Sequence, residues 1–270
     1  MSYPAYSALL GVCETDKPQW LSTAIDSTLH QTVKPSEIIV VQNGSLTDEL
    51  AATINRYKEE NPELFIIQPL PSRTGLGATV RKGIEACSNG FVAYIDANGY
   101  SVPTRIEEEF EALLANKADI VGSNINEFSE SIDKVTDYRT FPETPEEIYK
   151  FAKKKIPMAF SSVLFKKRRI QACRDYEDCG IAEDYALLID LLYFRAKGYN
   201  IQKPLVYERH SKDNKFLCTK ENAEAMRYFN TKYFKKGWFR RRDYFFRSTM
   251  NELALMMPRF VRNFVYNKVL

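Results

Sequence analysis

Polar side chains follow the apolar runs in the first half of the chain. Gln42 and Asn43 come directly after the run EIIVV, Asp96 comes directly after FVAYI, and Glu14 lies two residues beyond the first apolar run. A carboxylate such as Asp96 could bind a divalent cation and, through it, a diphosphate. The amides of Gln42 and Asn43 could hydrogen-bond the edge of a nucleobase. Local turn formation or helix capping is the alternative for these residues.

Asn98 lies two residues after Asp96, in the segment Asp96-Ala97-Asn98-Gly99. Asparagine offers a hard cation a neutral carbonyl oxygen where aspartate would offer a charge. The segment could therefore offer a cation one carboxylate and one neutral carbonyl oxygen. The alternative is an Asx turn, in which the loop only satisfies its own backbone.

A second acidic pair, Glu183 and Asp184, stands at the start of an apolar helical pattern over residues 185–196. Asp184 is suited to remove a proton from an acceptor hydroxyl as a general base. Capping of the helix and interaction with its dipole would explain the pair without catalysis. We expect the helix N-terminus to lower the pKa of Asp184, so that its action would depend on positioning as well as basicity.

The elements that must position these groups alternate between strand and helix. Apolar runs predict strands over 6–12, 37–41, 64–68, 91–95 and 120–123, with helical patterns between them. Such an order gives a mostly parallel α/β sheet with helices on both faces. Ligands bind at the carboxyl ends of such strands, where the polar residues described above fall.

The second half of the chain is less regular. It predicts a hairpin within 128–139, a helix over 144–153 and strands over 162–165 and 201–207. Arg209 and His210 follow the last of these strands, where they could approach a phosphate or remain ordinary surface residues.

Composition narrows the class of protein. The 270 residues are 44% hydrophobic and 27% charged, as in a globular chain. Five cysteines without CxxC spacing and only two histidines argue against a zinc centre and for reduced thiols in a cytosolic setting. No apolar run is long enough to span a bilayer, and the first residues lack the basic region of a signal peptide.

Positive charge is concentrated towards the C-terminus. Residues 227–270 contain eleven Lys/Arg and two Asp/Glu, a net charge of +9, and twelve of the 35 aromatic residues. Basic residues interleaved with aromatic ones favour a helix lying on an anionic membrane surface. The alternatives are a helical subdomain packed on the core and, less in keeping with the rest of the chain, stacking on nucleic acid. We expect no nucleic-acid partner.

Four segments resemble, in order and spacing, the family 2 glycosyltransferases, the large inverting group that includes bacterial capsule and lipopolysaccharide transferases. The segments are the strand and turn at 35–45, the helix start at 75–78, the DxD-like segment at 94–98 and the Glu-Asp pair at 183–184. The resemblance runs over residues 6–213. It implies a GT-A (Rossmann-like) domain over 1–213, followed by a basic and aromatic helical extension over 214–270.

The resemblance also implies site residues. A nucleotide-sugar donor, by resemblance UDP-linked, would contact Val12, Glu14, Gln42, Asn43, Arg73 and Asp96. Mn²⁺ or Mg²⁺, weakly held or absent, would lie at Asp96 and Asn98. Asp184 and Glu183 would be the catalytic pair beside a glycan or lipid-linked acceptor. The protein would be cytoplasmic and peripheral at the inner face of the cell membrane, held there by residues 227–270.

Departures from the family pattern leave other hypotheses open. Gln42-Asn43 replaces an aspartate pair, Asn98 replaces an aspartate, and residues 156–162 contain no histidine. These departures favour, as a second hypothesis, a non-catalytic GT-A-fold protein that binds a nucleotide or a partner transferase. A nucleotidyltransferase would share the layout, but its glycine-rich, lysine-containing signature is missing near the first strand. No QxxRW motif is present, so we expect addition of a single sugar.

Overall fold

The computed structural model describes residues 3–173, 179–209 and 220–256. The strands are β1 Tyr6–Val12, β2 Glu37–Asn43, β3 Phe65–Leu70, β4 Phe91–Asp96, β5 Tyr100–Ser101, β6 Ile120–Phe128, β7 Val135–Arg139, β8 Leu164–Lys166 and β9 Gly198–Arg209. The helices are α1 Pro18–Leu29, α2 Asp48–Glu60, α3 Leu76–Ala86, α4 Arg105–Ala115, α5 Pro145–Phe151, α6 Lys167–Gln171, α7 Glu183–Tyr193, α8 Lys220–Lys235 and α9 Arg241–Met256.

All nine strands belong to one sheet, in the order β3-β2-β1-β4-β8-β6-β9-β5, with β7 paired to β6. The neighbours β3, β2, β1 and β4 are parallel, as predicted. The short strand β8 runs antiparallel to both β4 and β6, while β6 and β9 are again parallel. The predicted α/β fold with helices is confirmed: the first four strands are parallel to one another, and the antiparallel strand β8 separates them from the parallel pair β6 and β9.

Both faces of the sheet are covered because its central strands are apolar on both sides. On β1, Leu9 packs with α3 and α7 on one face, whereas Leu10 packs with α1, α2 and α4 on the other. Continuous apolar runs are typical of strands in doubly covered parallel sheets. The helix after β2, α2, has Thr47 as its N-cap, and the Thr47 side chain accepts a hydrogen bond from the Leu50 amide.

The C-terminal helices α8 and α9 share the core with α7. Four aromatic side chains from α8 and from the loop between α8 and α9 are buried there: Phe229, Tyr233, Trp238 and Phe239. The Tyr233 hydroxyl donates a hydrogen bond to the Ala186 carbonyl of α7, at 2.9 Å. Packing on the core therefore accounts for these aromatic residues, which cannot also contact a membrane. The predicted domain boundary at 213/214 lies outside the described residues and stays a prediction.

Candidate active site

The sheet register brings several predicted site residues to one edge. Val12, the last residue of β1, is paired with Gln42 of β2, and Gly11 is paired with Asp96 of β4. The carboxyl ends of parallel strands thus meet as predicted, at the edge where ligands bind in sheets of this type.

Asn43 fixes the loop that follows β3. Its side-chain oxygen accepts hydrogen bonds from the amide and hydroxyl of Thr74, at 2.7 and 3.0 Å, and its nitrogen donates to the Thr74 carbonyl at 2.8 Å. Gly44 has a φ of +83°, and a Cβ there would lie 2.7 Å from the Arg73 amide nitrogen. Both ends of the Asn43 amide thus serve the loop, and a contact with a nucleobase stays a prediction.

Glu14 and Arg73, both predicted donor contacts, form an ion pair with each other at 3.2 Å. Both side chains are more than half exposed. An ion pair this accessible to water contributes little to stability. It can therefore open, so that the guanidinium is available to an incoming anion.

Asp96 and Asn98 form a short turn at the end of β4. The Asn98 amide donates to the Asp96 carboxylate at 3.0 Å, and the Asn98 side-chain nitrogen donates to Asp16 at 2.9 Å. Burial is the main reason that the pKa of Asp96 is raised. The negative charge of Asp16 acts in the same direction, and the hydrogen bond from the Asn98 amide opposes it.

The side-chain oxygen of Asn98 is buried and accepts no hydrogen bond from the residues that the structure describes. A buried acceptor without a donor is unfavourable unless a ligand satisfies it. A carbonyl oxygen of this kind, two residues after the Asp96 carboxylate, fits one ligand of a hard cation. Within the described ranges, no three His, Cys, Asp or Glu side chains could hold a metal by themselves. Further oxygens would have to come from a bound diphosphate or from water.

A buried arginine supports this turn from behind. Arg105 donates to the Tyr94 carbonyl of β4, to the Ser101 hydroxyl of β5 and to the Glu109 carboxylate, at 2.9, 3.0 and 2.8 Å. Both charged side chains are fully buried, and burial raises the pKa of Glu109 to about 7. Because Arg105 binds on both sides of residues 96–99, it holds that turn in place.

Glu183 is the first residue of α7, but its side chain binds the start of α3. Its carboxylate accepts a hydrogen bond at 2.7 Å from the Gly77 amide, in the first turn of α3. The side chain is buried, and a Cβ at Gly75 would lie 2.2 Å from its carboxylate oxygen. The N-cap of α7 is Ala182, and the Glu183 carboxylate binds α3 rather than an amide of α7, so capping of α7 does not explain Glu183. Glu183 instead joins the start of α3 to the start of α7.

Asp184 is partly exposed, and its carboxylate accepts a hydrogen bond from the Tyr185 amide at 2.6 Å. Burial raises the pKa of Asp184 to about 6, although this hydrogen bond and the charge of Arg139 oppose the change. The expectation that the helix N-terminus lowers this pKa is wrong, because loss of hydration outweighs the helix. A carboxylate with this pKa is a stronger base than an ordinary aspartate and is still ionised at neutral pH.

The charges of the DxD-like turn and of the acidic pair both act on Tyr94. Burial raises the pKa of its phenol, and the negative charges of Asp96, Asp16 and Asp184 add to the effect. All three charges therefore act on one buried side chain. The sequence predicted the DxD-like turn and the acidic pair separately, but it did not predict that both act on one side chain.

Glu208 was not predicted, although it directly follows the predicted strand 201–207. It accepts a hydrogen bond from the Ser161 hydroxyl and lies 3.7 Å from Arg139, which also pairs with Glu127 at 3.3 Å. Burial raises the pKa of Glu208 to about 7, and the charge of Asp96 contributes. Its position after an apolar strand was the signal that could have identified it.

Arg209, the next residue, has its guanidinium occupied within the protein. It donates to the Ser129 carbonyl at 2.8 Å and stacks on the Trp20 ring at 4.5 Å. These contacts hold the hairpin against α1, and a phosphate contact stays a prediction. His210 lies outside the described residues.

The sequence model of glycosyl transferase family 2 matches residues 12–174 of this chain. An uncharacterized glycosyltransferase of Haemophilus influenzae is 29% identical over 76% of this chain and 75% of its own length. Two further relatives are each 26% identical over nearly the whole of both chains. One is the Escherichia coli UDP-Gal:alpha-D-GlcNAc-diphosphoundecaprenol beta-1,3-galactosyltransferase, and the other is the amylovoran biosynthesis glycosyltransferase AmsE of Erwinia amylovora.

Among solved structures, the fragment 1–349 of TarS from S. aureus superposes with a TM-score of 0.61 at 15% identity. The match covers 84% of this chain and 64% of that fragment, so this chain spans less than two thirds of it. The complex of the same fragment with UDP-GlcNAc gives a TM-score of 0.62. At this identity the likeness concerns the fold. Together with the family match, it establishes that the chain belongs to glycosyltransferase family 2 and is a glycosyltransferase with the GT-A fold.

Proposed function

We propose that this glycosyltransferase moves one sugar from a UDP-linked donor to a hydroxyl of a glycan or lipid-linked acceptor during synthesis of a surface polysaccharide, with inversion at the anomeric carbon. The observation that carries the proposal is the register of the sheet, which brings Val12, Gln42 and Asp96 to one edge, with Asp16 joined to Asp96 through Asn98. The charge of Asp184 acts on the same Tyr94 phenol as the charges of Asp96 and Asp16, which supports a base near this edge. The names of the relatives support the chemistry: one uses UDP-Gal and a diphosphoundecaprenol acceptor, and another works in amylovoran biosynthesis.

The donor would lie across the strand ends. The nucleoside would bind near Val12 and Gln42, and Arg73 would leave Glu14 to meet the diphosphate. Family 2 enzymes generally use a divalent metal. Asp96 and the free oxygen of Asn98 would hold such an ion here, and the ion would stabilise the negative charge of the leaving diphosphate.

The acceptor side would depend on Asp184. Its carboxylate would take the proton of the acceptor hydroxyl while that oxygen attacks the anomeric carbon from the face opposite the diphosphate. The new carbon–oxygen bond forms as the bond to the diphosphate breaks, and UDP leaves. Glu183 holds the start of α7 against α3. We therefore assign it a positioning role, because its carboxylate is occupied by Gly77.

The assay for this proposal is UDP release from a panel of UDP-sugars, UDP-Gal and UDP-GlcNAc included, with Mn²⁺ and a synthetic polyprenyl diphosphate-linked acceptor sugar. We expect release that requires the acceptor, and a product with the anomeric configuration opposite to that of the donor by NMR. A product of retained configuration would contradict the direct displacement by which Asp184 is assigned. Nucleotide binding without transfer to any acceptor would favour a non-catalytic GT-A-fold protein.

Helix α9 carries the features that favour a membrane surface. Phe245 and Phe246 are 73% and 57% exposed, and Arg240, Arg241 and Arg242 precede them on the surface. Exposed aromatic residues beside arginines suit an anionic lipid headgroup layer. Within the described part of the chain, no helix is both long and apolar enough to cross a bilayer. Peripheral attachment at the inner face of the cell membrane is therefore part of the proposal.

Vesicle co-sedimentation tests this attachment. Binding should rise with the anionic lipid fraction and fall with salt. The reason is that salt screens the attraction between exposed charges, which at physiological ionic strength is largely lost beyond about 8 Å. The double variant Phe245→Ser/Phe246→Ser should lose most of the binding. Leu114→Ser is the matched control, since Leu114 is 56% exposed on α4. Equal loss in both variants, or equal binding to neutral vesicles, would contradict attachment through α9.

A further inference from the structure

Asp16 lies in the loop between β1 and α1, 82 residues before Asn98, and contacts the DxD-like turn directly. One carboxylate oxygen of Asp16 accepts from the Asn98 side-chain nitrogen at 2.9 Å. The other accepts from the Cys13 amide at 2.8 Å. The carboxylate is therefore fixed at both oxygens, once by its own loop and once by the turn at the end of β4.

This contact sets the orientation of the Asn98 amide. Because the nitrogen faces Asp16, the oxygen on the same side chain faces away from it. That oxygen is buried and has no donor within the described ranges. An amide with one end paired and the other end buried and unpaired is unfavourable in a plain turn. A bound cation would give the unpaired oxygen of this amide a partner, since hard cations take carbonyl oxygens as ligands.

We propose that Asp16 is a positioning residue of the donor site: it holds Asn98 with its oxygen free for a divalent cation and supplies the negative charge that an aspartate at position 98 would have carried. The inference rests on the proposed function, in which this cation meets the donor diphosphate. It names a residue that the DxD-like segment does not contain. Interactions of this kind, with groups behind the ligands, commonly tune metal affinity in proteins.

The proposal reverses a simple expectation about Asn98. Counting charges alone, Asn98→Asp should tighten manganese binding. In this structure the substitution puts two carboxylates at hydrogen-bond distance with no donor between them, so Asp16 would repel the new side chain from the position that Asn98 holds. We therefore expect Asn98→Asp alone to bind Mn²⁺ no more tightly than the wild type.

Exchanging the two residues should restore the arrangement. In the double variant Asp16→Asn/Asn98→Asp, the new amide at position 16 can accept from the Cys13 amide and donate to the new carboxylate at position 98. One oxygen of that carboxylate then stays free for the cation, and the net charge is that of the wild type. Asp16→Asn alone lacks the charge, and its single amide oxygen cannot replace both carboxylate oxygens as acceptors.

Calorimetry of UDP binding, with Mn²⁺ and with EDTA, tests the inference on four proteins. They are the wild type, the two single variants and the double variant. We expect each single variant to lose at least tenfold in Mn²⁺-dependent affinity, and the double variant to return to within about threefold of the wild type or to bind more tightly. Affinity in EDTA should be the same in all four. Asp133→Asn, an exposed change in the loop before β7, is the matched control and should behave as the wild type.

Three results would overturn the inference: wild-type Mn²⁺-dependent affinity in Asp16→Asn, a double variant as weak as the two single losses combined, or equal losses with Mn²⁺ and in EDTA, which would mean a structural role only. Titration with Mn²⁺ alone, followed by electron paramagnetic resonance, needs neither UDP nor a folded Asp16→Asn protein. Tighter Mn²⁺ binding by Asn98→Asp than by the wild type would refute the proposal there. Absence of UDP binding by the wild type would instead contradict the proposed function.

Discussion

Replacing Asp184 with asparagine should make the protein more stable and nearly inactive. The side chain keeps its size and can still accept the hydrogen bond from the Tyr185 amide, but it can no longer take a proton. Transfer should therefore fall by about 10² to 10⁴, the usual contribution of a general base. Donor affinity should stay unchanged, because Asp184 is assigned to the acceptor.

The gain in stability follows from the raised pKa. Burial takes the pKa of Asp184 from 3.8 to about 6. Between these values the unfolded chain releases the proton while the folded protein keeps it, so stability falls as pH rises through this window. At about 1.4 kcal/mol per pKa unit, the ionised carboxylate lowers stability by about 3 kcal/mol above pH 6. Asp184→Asn removes this penalty, so its gain should be about 3 kcal/mol at pH 8 and about 1 kcal/mol at pH 4.5.

Urea unfolding at the two pH values, together with UDP release, measures both effects. Asp190→Asn is the matched control, since Asp190 lies on the same helix but pairs with Lys236 at 3.1 Å. That control should lose about 1–3 kcal/mol at pH 8 and keep its transfer rate, because it replaces a buried carboxylate that accepts a charged hydrogen bond. An Asp184→Asn protein that is less stable than the wild type at pH 8, or that transfers at the wild-type rate, would refute the assignment.

Three further changes test other contacts. Arg139→Gln removes the cation that opposes the raised pKa of Asp184, so the midpoint of the acidic limb of the pH–rate profile should move upward from about 6. Gly75→Ala puts a Cβ against the Glu183 carboxylate and should lower the unfolding free energy by about 1–3 kcal/mol in urea titrations. Tyr233→Phe loses one buried hydrogen bond between α8 and α7. It should lower the unfolding free energy by about 1 kcal/mol and leave donor affinity unchanged.

What the sequence could predict is what local pattern determines. Apolar runs located β1 to β4, and the rule that ligands bind at carboxyl strand ends brought Gln42 and Asp96 to one edge. A hairpin pairs β6 with β7, but its first arm, residues 125–128, lies almost entirely before the predicted range 128–139. The spacing of Phe229 and Tyr233, four residues apart, already fits one face of a helix. It could have shown that part of the tail packs inward.

What the sequence could not predict depends on partners distant along the chain. Glu183 meets Gly77 across 106 residues, and Asn98 meets Asp16 across 82. The pKa of Asp184 was predicted in the wrong direction because a helix N-terminus is visible in the sequence, whereas the burial that outweighs it arises only from tertiary packing.

The central claim is that the edge formed by β1, β2 and β4 binds a UDP-linked donor through Asp96. Calorimetric titration of the wild type and of Asp96→Ala with UDP in the presence of Mn²⁺ tests it most directly. We expect measurable binding by the wild type and at least tenfold weaker binding by the variant, a difference of about 1.4 kcal/mol. No UDP binding by the wild type, or equal affinity in a folded Asp96→Ala protein, would contradict the account.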